Sequence, residues 1–130
     1  MLQKLQIIFN VFIISLLSIS ISKAELIKPR SDIKPSKVVE IQLNGLQKND
    51  FNYKDSGIEQ TWNFAHPSNK KNTGPLPNFK MMIKGNSYQM LLNHLSHTIT
   101  KVGDGDKWVQ FEVIILDKDK IYHKFNWQVE

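Results

Sequence analysis

The chain has 130 residues and no cysteine, which makes one domain the default and excludes disulfide frameworks, zinc–thiolate sites and thiol nucleophiles. Hydrophobic residues make up 41% and charged residues 22%, the balance of an ordinary globular protein. The formal charge of +5 falls to +3 when Lys4 and Lys23 are set aside with the leading segment. No basic run exceeds Lys70-Lys71, so no nucleic-acid partner is expected.

Residues 1–24 read as a signal peptide. Lys4 supplies positive charge, Ile7 to Leu17 is apolar except for Asn10 and Ser15, and Ser22-Lys23-Ala24 offers small residues at a cleavage site. The alternative is an uncleaved anchor, but the apolar run is shorter than the roughly 20 residues a spanning helix needs. Both readings export the domain, to the periplasm, the medium or, in a photosynthetic cell, the thylakoid lumen. After cleavage no membrane contact is expected. Residues 25–35 hold Pro29 and Pro35 among charges, with no apolar period, and read as a linker or arm.

The domain proper is expected over 36–130. Ser36 is a candidate N-cap for a helix reaching about Lys48, in which Val39, Leu43 and Leu46 fall on one stripe, widened by Val38 and Ile41. Asp55 or Ser56 can cap a second helix with Ile58, Trp62 and Ala65 on its apolar side. Pro67 ends it, and Ser68 to Gly74 reads as a polar loop. Pro75 or Pro77 suits the first turn of a third helix, which buries Phe79, Met82 and Ile83 and ends at Gly85-Asn86. Tyr88, Leu91 and Leu92 form a further apolar turn.

From His94 the apolar period changes from 3.6 to 2. Leu95 to Val102 reads as a strand, Gly103 to Asp106 as a turn, and Trp108 to Leu116 as the strongest strand. After a turn at Asp117–Lys120, Ile121, His123, Phe125, Trp127 and Val129 share one face. Helices followed by an antiparallel meander predict an α+β fold with the helices packed on one face of the sheet.

Several segments together resemble a small family of domains of unknown function in the nuclear transport factor 2-like superfamily. They are Val38-Val39 with Gln42-Leu43 and Leu46, then Gly57-Ile58, Trp62-Asn63-Phe64-Ala65 and Pro67-Ser68-Asn69. Thr73-Gly74-Pro75-Leu76 with Phe79, and Tyr88 with Leu91-Leu92 and His94, complete the match, which spans about residues 36–130. The resemblance implies a cone in which a curved antiparallel sheet wraps helices around an apolar cavity. It implies no activity, so no catalytic residue is carried over. Relatives continue past the position of Val129-Glu130 into a turn and a last strand, which predicts an unpaired edge at Ile121–Val129.

In such a cone Trp62, Phe79, Phe111, Phe125 and Trp127 would line the cavity and take a small apolar ligand. His97 shares a face with Leu95 and Ile99, and His123 with Phe125 and Trp127. They are either satisfied core residues or cavity groups able to bind a ligand or move a proton. His94 and His97 are three apart, which on a strand puts them on opposite faces and excludes a metal-binding pair.

An isomerase or lyase would need a carboxylate inside the cone. Glu112 is expected outside, and Asp55 and Glu59 at a helix start, so no acid–base pair is expected. The aspartates at 104, 106, 117 and 119 fit hairpin turns better than calcium loops. No cofactor, metal or phosphate motif stands out. Trp108, Ile114 and Leu116 put apolar bulk on the second sheet face, either beneath the arm or at a homodimer interface. The sequence therefore favours a non-catalytic binding or interaction module over an enzyme with a cavity histidine, with a structural dimer as the third reading.

Overall fold

In the computed structural model, which describes residues 25–130, the first element is helix α1, Pro35–Gln47. The expected signal peptide over 1–24 lies outside the described residues. Pro35 rather than Ser36 opens the helix, with Lys34 at the extended cap position. The proline ring presets φ, and its missing N–H falls where no helical acceptor exists. Val39, Leu43 and Leu46 are fully buried along one stripe, as their spacing requires.

Helix α2, Ser56–Asn63, crosses α1 at two glycines. A Cβ on Gly57 would overlap the Gly45 carbonyl and fall 2.9 Å from the Asn49 Cα, so the two backbones touch directly. Asn49 locks the crossing. Its Oδ1 accepts the Ile58 N–H at 3.0 Å, its carbonyl accepts the Gly57 N–H at 2.8 Å, and its Nδ2 donates to Asp55 at 3.0 Å. Asp55 stands at the N-cap in left-handed backbone, φ 64, but its side chain turns away from the helix to Lys84 at 2.6 Å. Burial raises the Asp55 carboxyl, but the bonds from Lys84 and Asn49 outweigh it and hold the group below the usual carboxylate range.

The polar stretch after Pro67, expected as a loop, is instead a short helix, α3, Pro67–Thr73. His66 caps it, its ring Nδ1 accepting the Ser68 N–H at 3.1 Å, and Pro67 takes the first helical position. Helix α3 buries no residue, so no apolar period announces it. Helix α4, Leu76–Ile83, carries Pro75 at its cap and Pro77 in its first turn. It buries Phe79 and Ile83 and half-buries Met82. A 3₁₀ turn, Gln89–Leu91, then drives Leu91 into the core.

Three antiparallel strands follow in the order β1-β2-β3: β1 Ser96–Asp104, β2 Val109–Leu116 and β3 Tyr122–Val129. Period-two alternation sends Val109, Phe111, Val113 and Ile115 to the helix side, and Phe111, Val113 and Ile115 are buried there. The register sets Trp127 beside Phe111 and Phe125 beside Val113. His97 and His123 flank Ile115. The buried core joins this sheet face to Val39, Leu43, Leu46, Ile58, Phe79, Ile83 and Leu91. The architecture is α+β, with the helices on one face of the sheet.

The arm does not cover the other sheet face. It docks instead against α2, where the Gln60 carboxamide pairs with the Ile27 backbone, accepting its N–H at 2.7 Å and donating to its carbonyl at 2.8 Å. The amide side chain imitates a strand neighbour, satisfying both backbone groups of an otherwise unpaired residue.

Candidate functional site

A cleft of about 380 Å³ opens between β3 and the α3–α4 side of the molecule. Buried Phe79, Ile83 and Leu91, with Met82 and Tyr88, give it an apolar floor. Exposed Asn69 and Asn72, together with Thr73, put carboxamides and a hydroxyl on the α3 rim. The opposite wall is β3, from Phe125 to Val129, with Glu130 just beyond it. At one end the Glu130 carboxylate meets the His66 ring at 3.2 Å, joining the end of β3 to the start of α3.

Gln42 holds the cleft's back wall. It is buried on α1, its Oε1 accepts the Trp127 indole N–H at 2.8 Å, and its Nε2 donates to the Thr61 carbonyl at 3.1 Å. One carboxamide thus ties three elements together and orients the largest aromatic side chain of the β3 wall. Tyr88 stacks on Phe125, ring centroids 6.5 Å apart.

Of the seven residues expected to line a cavity, Phe79, Phe125 and Trp127 do so. Phe111 is buried in the core beneath them. Trp62 packs beside the core with the Lys70 ammonium 4.4 Å above its ring, and its buried indole N–H finds no acceptor among the described residues. His97 and His123 stand outside the cleft.

Each of these two histidines has an unforeseen partner. His94 and His97 stand on the same side and form a hydrogen-bonded pair, with His94 Nε2 and His97 Nδ1 2.7 Å apart. The strand-parity argument fails because β1 begins only at Ser96, after Asn93 has turned the chain through left-handed backbone at φ 58. His94 Nδ1 lies 2.7 Å from the Leu91 carbonyl, an acceptor only, so the proton is on Nδ1. His94 Nε2 therefore accepts from His97 Nδ1–H. Burial depresses both rings: donation to Leu91 works against it at His94, and the Glu40 carboxylate works against it at His97.

The second pair is His123 with Asp117, 2.7 Å apart, although no acid–base pair was expected. Asp117 Oδ1 also accepts the N–H groups of Asp119 and Ile121, at 2.8 and 2.9 Å. The Ile121 N–H and the His123 bond hold the Asp117 carboxyl below the usual range, against the opposing effect of burial. Asp117 is thus an organiser of the β2–β3 hairpin, and His123 is one of the groups it anchors. The hairpin itself was readable, and its register sets His123 next to the strand-end acid.

The outer-face residues are dispersed. Ile114 and Leu116 stand near the β2–β3 hairpin, half-buried, with Tyr122 exposed across from Leu116. Trp108 lies six residues from Ile114, roughly 20 Å along the strand at about 3.4 Å per residue, and packs over Gly103 and Gly105 of its own turn. No helix of the described residues is long and apolar enough to cross a membrane. Among the same residues no cluster of three or more metal-ligating side chains occurs. No protein-family model, curated protein or solved structure matches the chain.

Proposed function

We propose that this protein is an exported, non-catalytic binding module whose ligand occupies the cleft between β3 and the α3–α4 side. The observation that carries this reading is the cleft. At about 380 Å³ it falls within the range of small-ligand sites, and it combines an apolar floor with a few converging polar groups. The isomerase or lyase reading, with His97 or His123 as base, has less support, because neither ring lines the cleft and a general base must reach its substrate. Membership of the nuclear transport factor 2-like superfamily is part of the same proposal. Helices on one face of an antiparallel sheet, with Phe125 and Trp127 turned toward an opening between the layers, support it. Export rests on the charge, apolar run and small-residue pattern of residues 1–24.

Native mass spectrometry of the protein isolated from producing cells tests the reading. The expected result is a monomer that retains bound material, lost in an Asn72→Trp variant that fills the cleft from its exposed rim. Identical spectra for the two proteins, without added mass, would overturn it. A homodimer through the outer sheet face is a second reading, favoured by Tyr122, 70% exposed, beside Leu116 and Ile114. A dimeric mass abolished by Tyr122→Asp, with nothing retained in the cleft, would establish that reading instead.

A further inference from the structure

The side chains that line the cleft combine aromatic rings with neutral polar groups, and charge is kept off them. Asn69, Asn72 and Thr73 lie three and four apart on α3 and so share one face, which borders the cleft. Lys70 and Lys71 of the same helix do not border it, and the Lys70 ammonium lies 4.4 Å over the Trp62 ring. Among the described residues that line the cleft there is no lysine or arginine. Its one acid, Glu130, is joined to the His66 ring at 3.2 Å.

The neutral polar groups are also uncommitted. The carboxamides of Asn69, Asn72 and Asn126 and the Tyr88 hydroxyl make no hydrogen bond among the described residues. Gln42 is the contrast. Both ends of its amide are used inside the protein, one of them by the Trp127 indole N–H at 2.8 Å. Trp127 therefore offers the cleft an aromatic ring and not a donor. Tyr88 and Phe125 add two more rings, stacked with centroids 6.5 Å apart.

These features select a ligand class. A phosphate, carboxylate or ammonium would lose its water here without gaining a partner. A purely apolar molecule would cover the rim amides and strip them of water for nothing in return. A ligand with carbonyl or ether oxygens alone could bond the amide N–H groups but would leave the amide oxygens unmatched. A carboxamide presents a donor and an acceptor side by side, and a hydroxyl both donates and accepts. Adjacent hydroxyls on one ring are the reciprocal of each carboxamide. The C–H face of such a ring is weakly positive and suits the negative face of an aromatic system.

We infer that the ligand of the cleft is a neutral saccharide, its ring packed on the aromatic side chains and its hydroxyls bonded to Asn72 and Asn126; this rests on the cleft being the binding site.

The test is saturation-transfer NMR on the full-length protein, with irradiation of its aromatic protons. The probes are the methyl glycosides of glucose, galactose, mannose and N-acetylglucosamine, and the disaccharides maltose, cellobiose and lactose. The expected result is transfer to the ring C–H protons of at least one of them. The matching uronic acid should bind about tenfold more weakly or not at all. Asn72→Leu and Asn126→Leu keep side-chain size and remove no bond within the protein, so both variants fold. Each should weaken the saccharide by about tenfold, the loss of one or two hydrogen bonds. The uncharged apolar dye Nile red separates this inference from the reading beneath it. Dye binding that is lost in Asn72→Trp, with no saccharide signal, would overturn the saccharide and leave the cleft as a binding site. Failure of dye and saccharides alike would overturn both. Saccharide binding unchanged in the two leucine variants would place it elsewhere and overturn the inference.

Discussion

Gln42 is the side chain on which the cleft's geometry most depends, and Gln42→Met isolates its polar role. Methionine keeps the length and nearly the volume of glutamine, so little cavity penalty enters. Two bonds disappear: Trp127 Nε1 to Oε1 at 2.8 Å, and Nε2 to the Thr61 carbonyl at 3.1 Å. The Thr61 carbonyl retains the Phe64 N–H at 3.2 Å, so it is not orphaned and loses one ordinary bond, about 1 kcal/mol. The Trp127 indole is half-buried at the cleft and can turn its N–H to water, so its loss is again about 1 kcal/mol. The total is about 2 kcal/mol, or a fall of roughly 8–15 °C in Tm for a domain of this size. Urea denaturation followed by tryptophan fluorescence measures it, with the m-value unchanged. The Trp127 indole N–H resonance should also move. A change under about 0.5 kcal/mol, within the range of an ordinary surface substitution, would show that Gln42 does not brace the cleft.

The glycine crossing provides an internal control. Gly57→Ala drives a methyl into the α1 backbone and should destabilise by about 3 kcal/mol or more. Gly45→Ala meets its nearest atoms at 3.3 and 3.4 Å and gains about 1 kcal/mol of helix propensity, so it should stay within about 1 kcal/mol of wild type; thermal melts that rank the two equally would refute the close-contact account. The His94–His97 pair adds pH dependence. Both rings are depressed in the folded state, so above about pH 7 both states are neutral there and stability is flat. As pH falls through about 6.5 the unfolded chain takes up protons that the folded one resists, and stability declines until the folded pKa values are passed. Melts of wild type and His94→Asn between pH 7.5 and 5 should show the steeper decline in wild type; equal slopes would mean that the pair does not titrate as its geometry requires.

The strands were legible because both of their physical causes are local. One buried face imposes period two, and aspartate and glycine mark the turns. Helices α1, α2 and α4 were legible for the corresponding reason at period 3.6. Helix α3 was not, because it buries no residue: its start is made by a proline and a histidine ring, and Pro67 had been read only as a terminator of α2. The histidine pair escaped for a related reason. A parity argument holds only inside a strand, and a single left-handed residue, Asn93, moved the strand's start past His94. Trp62 and Phe111 were correctly apolar and interior-facing, but periodicity identifies a buried side and does not separate core from cleft wall.

The cleft itself has a deeper reason for being hidden. Its two walls, α3 and β3, lie about fifty residues apart in the chain, so no local pattern joins them. On the β3 wall the side chains that border the cleft alternate between aromatic and amide from Phe125 to Gln128. Asn126 and Gln128 on the outer side, and Asn69 and Asn72 across the cleft, are polar without being ionised. Replacing Gln128 by lysine tests this directly. The change leaves the inner face and the β2 ladder untouched, so stability should remain within about 0.5 kcal/mol. It also places a charge on the β3 wall of the cleft, so the bound material retained in native mass spectra should fall. If Gln128→Lys retained as much bound material as wild type, the β3 wall would not be part of the site that binds.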